Sequence, residues 1–256
     1  MYYNKFINFI DFYRKFGLGN LIYFLYAKKR ILYRLPFTVP AFGRISMQGE
    51  VLNIRDNIFM GSLRDETVEK ALRTAKDPVI VDCGINVGVT VRWWFYLNPR
   101  STVYGIDMMQ EAHDFTVKTL PDQLRSRYIS ITTVLGGRVG SLMEVEYEDP
   151  LFGGNSLHVT KKCPHKRGVI SRSLDDCLQS YHIDTIDLIK VDIEDDADVM
   201  LGGASETFSK VKNILLEVHS TKERENSIRM LNSMGFGIRR TYKRQIWLER
   251  ESTPGK

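Results

Sequence analysis

The sequence predicts an α/β fold: a mostly parallel sheet, wound on both faces by helices and ending in a C-terminal antiparallel hairpin. Three observations predict it. Apolar runs of strand length alternate with stretches of helical period, the pattern of β-α-β units whose strands are buried on both faces. The first run, Val79-Ile80-Val81, leads into Asp82-Cys83-Gly84-Ile85-Asn86-Val87-Gly88, a glycine-bearing turn that opens a helix. The second, Thr102-Val103-Tyr104-Gly105-Ile106, ends in Asp107, 19 residues past Gly88. With 256 residues and 43% hydrophobic content, the chain can bury one substantial core but is short for two full α/β domains.

Residues 1–40 read as a helical arm. Phe6, Phe9, Ile10 and Tyr13 recur at helical spacing, Gly17 and Gly19 interrupt them, and a second apolar helix runs from about Leu21 to Leu32 before Pro36 and Pro40. Seven Lys or Arg, against Asp11 alone, and 11 of the 28 aromatic residues fall within residues 1–36. That composition suits an interfacial helix or a lid packed on the domain. The net charge of +5 therefore belongs to the arm, which argues against a nucleic-acid-binding face on the rest. Leu21 to Ala27 is only seven residues long before Lys28, far short of the roughly 20 apolar residues that span a bilayer. Asp11, Arg14 and Lys15 set the start apart from a cleaved signal. Three cysteines without C-x-x-C spacing indicate a reducing compartment. The expected location is cytoplasmic, with residues 1–36 able to touch a membrane or a protein partner.

Residues 41–256 form the expected catalytic domain, with a lead-in over 41–77 and a core over 78–256. Residues 43–55 alternate around Gln48-Gly49-Glu50 and predict a hairpin, and Glu66 to Ala75 a helix. The first strand covers 78–82, a helix continues from Thr90 to Leu97, and the second strand covers 102–106. Gln110 to Leu120 predicts a helix and Tyr128 to Val134 a third strand. Between about 141 and 172 short β-like pieces, Met143 to Tyr147 and Ser156 to Val159, predict a β-rich flap. Leu174 to Tyr181 reads as a helix, Ile186 to Val191 as the fourth strand, and Val211 to Val218 as the fifth. A helix near Arg224 to Met234 and a hairpin of Gly237 to Thr241 with Gln245 to Glu249 close the chain.

Parallel strands turn their C-terminal ends toward the ligand crevice, which singles out Asp82, Asp107, Asp192 and Glu217. The glycine turn lacks G-x-G-x-x-G, and Asp82 sets a carboxylate where a pyrophosphate needs only backbone N–H donors. A nucleoside carrying a cationic, amino-acid group suits the turn better, and S-adenosylmethionine is such a ligand. The expected cofactor residues are Asp82, Gly84, Asn86, Gly88, Asp107, Met108 and Gly136, with Asp107 accepting from the ribose hydroxyls. Asp107 also stands where it would cap the following helix.

Lys190, Asp192 and Glu194 share one side of the fourth strand, and Glu217 and His219 one side of the fifth. An attacking hydroxyl must lose a proton, and His219 is the expected base, oriented by Asp192 or Glu217. The alternative is that His219 only caps the turn after the strand. Asp192, Glu194 and Glu217 also offer oxygen ligands to Mg²⁺, in a spacing that does not demand a metal. Cys163-Pro164-His165 has no second ligand pair for zinc. Trp93 and Trp94 read as packing residues.

The chain resembles the FkbM family of S-adenosylmethionine-dependent methyltransferases over about 150 residues, ending at Ser220. The resemblance is carried by Val79 to Gly88, by Ser171-Arg172-Ser173-Leu174-Asp175-Asp176, by Ile186 to Glu194, and by Leu201-Gly202-Gly203-Ala204 with Ile214 to His219. It implies a Rossmann-like class I methyltransferase fold and O-methyl transfer to a sugar, glycan, lipid or polyketide-like hydroxyl, a saccharide being the expected partner. Two positions depart from the family pattern: Asp195 stands where glycine is usual, and Ala197 where a glutamate is. A second expectation follows from them, a chain that keeps the pocket as a tethered binding module.

Overall fold

Alternation along the apolar strands decides the architecture, because successive side chains of a strand leave on opposite faces. In the computed structural model Ile80, Val103, Leu188, Leu215 and Trp247 join one buried cluster, and their neighbours Val81, Tyr104, Ile189, Ile214 and Ile246 join the other. The structure describes Leu18 and residues 37–39, 42–45, 48–59, 63–136, 139–152, 155, 163–194 and 196–251. The arm expected over 1–40, apart from Leu18 and Phe37–Val39, and the piece Ser156 to Val159 lie outside the described residues.

The lead-in consists of β1 (Phe37–Val39) and β2 (Gly43–Ile45), which pair antiparallel, α1 (Gln48–Asn53) with a π-helical continuation over Ile54–Phe59, and α2 (Glu66–Thr74). The core follows as β3 (Val79–Cys83), α3 (Val89–Leu97), β4 (Thr102–Asp107), α4 (Gln110–Thr119), α5 (Asp122–Arg125), β5 (Tyr128–Thr132) and β6 (Val134–Leu135). Then come β7 (Leu142–Tyr147), β8 (His165–Arg172), α6 (Leu174–Leu178), β9 (Leu188–Val191), α7 (Ala197–Leu201) and α8 (Ser205–Ser209). The last elements are β10 (Asn213–Glu217), α9 (Thr221–Ser233), β11 (Phe236–Tyr242) and β12 (Gln245–Arg250).

Seven strands form the main sheet in the order β11-β12-β10-β9-β3-β4-β5. The five strands from β10 to β5 run parallel. β12 is antiparallel to both β10 and β11, so β11 points the same way as β10 and only β12 is reversed. The hairpin thus inserts its second strand into the sheet. Ile246, Trp247 and Leu248 are at most 2% exposed, the burial a strand needs when both its edges and faces are covered. A smaller sheet, β6-β8-β7, makes the β-rich flap. No helix among the described residues is long and apolar enough to cross a membrane. All three cysteines are free thiols, two of them buried.

The hairpin expected over 43–55 is corrected: its second half is the helix α1. The cause is a tertiary contact that periodicity does not register. Glu50 is fully buried and accepts from Arg92 Nη2 at 2.7 Å, while Arg92 Nη1 donates to the Phe42 carbonyl at 3.2 Å and Nε to the Gly88 carbonyl at 3.3 Å. This arginine joins the lead-in, α3 and the glycine turn. Helices α7 and α8, five residues each, went unforeseen because neither is long enough to show a period.

Removing one partner of a buried ion pair leaves the other charge uncompensated, at a cost of about 3–5 kcal/mol. Glu50→Ala should therefore lower the unfolding free energy by about that amount in urea titration. An unchanged midpoint would show that Arg92 does not need this carboxylate.

Candidate functional site

The glycine turn between β3 and α3 shapes the floor of the site. Gly84, Asn86 and Gly88 all adopt the left-handed backbone, at φ 81°, 50° and 65°. Gly84 admits no other residue, since a Cβ there would lie 1.9 Å from the Asp192 carbonyl oxygen. That close approach lets the ends of β3 and β9 meet.

Beneath the turn, Lys190 is 2% exposed and its Nζ donates to the Gly84 carbonyl at 2.9 Å. The same ammonium lies 3.4 Å from Asp82 Oδ1 and 3.2 Å from Asp192 Oδ2. Burial opposes its charge, but Asp192, Asp82 and Glu217 hold its pKa above the ordinary lysine value. Asp82 Oδ2 accepts from Trp94 Nε1 at 2.8 Å. Trp94 thus does more than pack. Asp82, expected to contact the cofactor, is 0% exposed and does not line the cavity; it supports the turn from below.

Above the turn, a cavity of about 260 Å³ opens at the C-terminal ends of β3, β4, β9 and β10. Gly84, Asn86, Asp107, Met108, Lys190, Asp192, Glu194 and Glu217 line it. Asp107 Oδ2 accepts from the Asn86 N–H at 3.0 Å and Oδ1 from the Met109 N–H at 2.9 Å. The capping reading and the ligand reading therefore coexist, because each oxygen keeps a lone pair. Burial, only partly offset by those two N–H groups, raises the Asp107 pKa to about 6. Gly88 backs onto Thr116 rather than the cavity, and Gly136, at φ 116°, stands one residue beyond the lining residue Leu135 and packs on Asp196. Neither glycine is a wall of the cavity.

At the far end, Glu223 builds the support for His219. Ser220 caps α9 by accepting from the Glu223 N–H at 3.2 Å, and the Glu223 carboxylate accepts from the His219 N–H at 2.6 Å and the Ala197 N–H at 3.1 Å. The His219 ring then reaches Asp192 Oδ1 through Nε2 at 3.3 Å and Glu194 Oε2 through Nδ1 at 3.0 Å. Burial works against a charge on the ring, yet hydrogen bonds to Asp192 and Glu194 prevail and raise its pKa to about 10. The two carboxylates thus favour the protonated ring over the neutral one that a base would need. Asp192 is half-buried, and against the desolvation it suffers, Lys190 and His219 hold its pKa down to about 2. Glu217 is not the orienting partner of His219. It accepts from Gln245 Nε2 at 2.9 Å, and burial together with Asp192 raises its pKa.

Asp192, Glu194 and His219 bring donor atoms within 4.8 Å of one another, a spacing that a cation could use. His219 thus takes the place expected for Glu217, and one nitrogen makes the set less suited to Mg²⁺ than three oxygens. Asp195 lies outside the described residues, and Ala197 is buried in the first turn of α7.

Sequence reasoning missed Asn53, Asn57, Thr90 and Phe152, all of which line the cavity. Asn57 Nδ2 donates to Asn53 Oδ1 at 2.8 Å, an i, i+4 pair legible only once 48–59 is read as helical. Two buried oxygens at the cavity, Asn86 Oδ1 and Thr90 Oγ1, have no hydrogen-bond partner among the described residues. A polar ligand would satisfy both. Together with the Asp107 carboxylate, they fit the nucleoside and amino-acid parts of S-adenosylmethionine.

Residues 82–242 match the methyltransferase FkbM domain. No curated protein matches the chain. Among solved structures the fold is similar to magnesium protoporphyrin IX methyltransferase from Synechocystis with bound S-adenosylmethionine, at 14% identity and TM-score 0.44, over 83% of this chain and 88% of that one. It is also similar to Aeropyrum pernix fibrillarin in complex with S-adenosylmethionine, at 11% identity and TM-score 0.43, over 73% and 74% of the two chains. A third is precorrin-6y C5,15-methyltransferase from Geobacter metallireducens, at 9% identity and TM-score 0.42, over 71% and 83%. The strand order, with one reversed strand inserted near the edge, is that of the Rossmann-like class I methyltransferases. Since the domain match spans more than half of the sequence, the chain belongs to the FkbM family of S-adenosylmethionine-dependent methyltransferases.

Proposed function

We propose that this chain transfers the methyl group of S-adenosylmethionine to a hydroxyl of a saccharide or similar polyol. One observation carries the reading: a single cavity has an isolated, hydrogen-bonded carboxylate at one end, Asp107, and a carboxylate–imidazolium cluster at the other. The bound cofactor supplies a methyl group already activated on a positive sulfur. The chain has to bind, align and desolvate the acceptor beside it.

Asp107 accepts the ribose hydroxyls, Gly84 and Asn86 present backbone to the cofactor, and Met108 flanks the base. Asn86 Oδ1 and Thr90 Oγ1 receive the donors of the amino-acid end. At the opposite end Glu194 takes the proton of the acceptor hydroxyl as the new O–C bond forms, because the His219 ring is already protonated and Asp192 is too weak a base. His219 is a positioning residue that holds both carboxylates, and its charge offsets theirs. Phe152 lines the cavity at its rim yet is 63% exposed, a flat apolar face of the kind that stacks on a sugar ring. Residues 1–40 are proposed as a separate arm on the domain of residues 41–256.

The ribose assignment predicts a pH dependence. Ionised Asp107 accepts hydrogen bonds and protonated Asp107 loses that capacity, so affinity is full above about pH 6 and falls below it. In calorimetry S-adenosylhomocysteine should bind up to about tenfold more weakly for each unit below that pKa, and Asp107→Asn should flatten the profile. A parent profile that stays level from neutral pH to pH 5 would remove Asp107 from the ribose.

The proton assignment predicts that Glu194→Gln lowers kcat by about 10²–10⁴-fold while cofactor affinity is kept. His219→Ala should lower kcat less and shift the pH–rate profile, because Glu194 loses the cation that orients it. Equal kcat in Glu194→Gln and the parent, in a labelled-methyl assay over a glycan panel, would take Glu194 out of the mechanism.

A further inference from the structure

The end of the cavity assigned above to the acceptor is bordered by cations without carboxylate partners. Glu217, the last residue of β10, pairs in register with Gln245, the first residue of β12. The tip joining β11 to β12 is Lys243-Arg244, and the Arg244 carbonyl accepts from the Val218 N–H at 3.0 Å, one residue before His219. The tip therefore stands on the same rim as the catalytic carboxylates. From the other side, α9 starts at Thr221, two residues after His219, and carries Lys222 and Arg224 in its first turn.

Lys222, Lys243 and Arg244 are exposed and Arg224 half-buried, and none has a carboxylate within 4.0 Å among the described residues. The lysines at the opposite end of β10 behave differently. Lys210 pairs with Glu206 at 3.0 Å and Lys212 with Asp187 at 2.8 Å. Those two lysines are thus neutralised, whereas the four cations near the mouth of the cavity are not. The tip is also held in place: the Lys243 ammonium lies 5.4 Å and the Arg240 guanidinium 5.7 Å from the centre of the Tyr242 ring. Lys243 adopts φ 55°, a turn position that glycine or asparagine fills at less cost.

The cavity itself repels anions, since Asp192, Glu194 and Glu217 line its acceptor end. An acceptor that satisfied both surfaces would place a neutral hydroxyl inside and a negative group outside. Resting on the function proposed above, we propose that Lys222, Arg224, Lys243 and Arg244 bind a phosphate group of the methyl acceptor. The substrate is then a hydroxyl compound, such as a sugar, carried on a phosphate or diphosphate ester. Phosphate answers the feature best, because it takes several charge-assisted hydrogen bonds from lysine and arginine at once.

The test is calorimetric titration of inorganic pyrophosphate into the full chain saturated with S-adenosylhomocysteine. The parent should bind, and the double variants Lys243→Gln/Arg244→Gln and Lys222→Gln/Arg224→Gln should each bind about tenfold more weakly or worse, with cofactor affinity within about twofold of the parent. Uridine diphosphate and farnesyl diphosphate, titrated likewise, distinguish sources: the tighter ligand names a nucleotide-linked or a lipid-linked acceptor, and equal affinities assign recognition to the diphosphate alone. No binding by the parent, or undiminished binding in both variants, overturns the proposal. A short RNA that binds more tightly than all three through the same four residues overturns it in favour of nucleic acid. Failure of S-adenosylhomocysteine to bind while pyrophosphate still does would instead count against the function proposed above.

Discussion

The Lys190 ammonium is the interaction on which the rest of the site depends. It sits in the middle of the sheet at 2% exposure, bonded to the Gly84 carbonyl and flanked by the carboxylates of Asp82 and Asp192. A lone buried charge is costly, and two anions with one carbonyl offset that cost only when the geometry is good. Here the geometry comes from the sheet itself. β3 lies between β4 and β9, and Gly84 lets its backbone touch that of Asp192. One cation therefore sets the height of the glycine turn and keeps Asp192 ionised.

From that point the electrostatics divide into two ends. At the Asp107 end burial dominates over two backbone N–H groups and the more distant Lys190, and the carboxyl pKa is raised to about 6. At the Asp192 end two cations, Lys190 and His219, are interleaved with three carboxylates, Asp192, Glu194 and Glu217. A carboxylate pair alone would share a proton. The imidazolium between Asp192 and Glu194 spares them that, and Glu223, itself buried, fixes the His219 backbone from the other side. In the function proposed here, methyl transfer and acceptor choice share one row of charges that runs from Lys190 out to the Lys243-Arg244 tip.

Much of this was legible in the sequence. Strands β3, β4, β9 and β10, and the acids at their ends, follow from apolar runs punctuated by glycine and aspartate, a local signal. The directions of side chains were less so. Period-2 reasoning put Lys190, Asp192 and Glu194 on one side, but β9 ends at Val191, and the His219 ring, not strand alternation, joins Asp192 to Glu194; nor could it say that Lys190 turns inward to Gly84 or that Glu217 turns to Gln245. Asp82 looked like a ligand contact because of its place in the motif, and Trp94 Nε1 and Lys190 claim it instead. The lead-in was misread because Glu50, a polar residue in an alternating stretch, is buried against Arg92, 42 residues away in sequence. Asn53 and Asn57 were lost with it.

The proposed function puts the nucleoside at Asp107 and the acceptor at Glu194 in one cavity. A crystal structure grown with S-adenosylhomocysteine tests it most directly. Both ribose hydroxyls should lie about 3 Å from the Asp107 carboxylate, with the thioether sulfur facing Asp192 and Glu194. A nucleoside bound away from Asp107, or a sulfur pointing toward β5, would contradict the account.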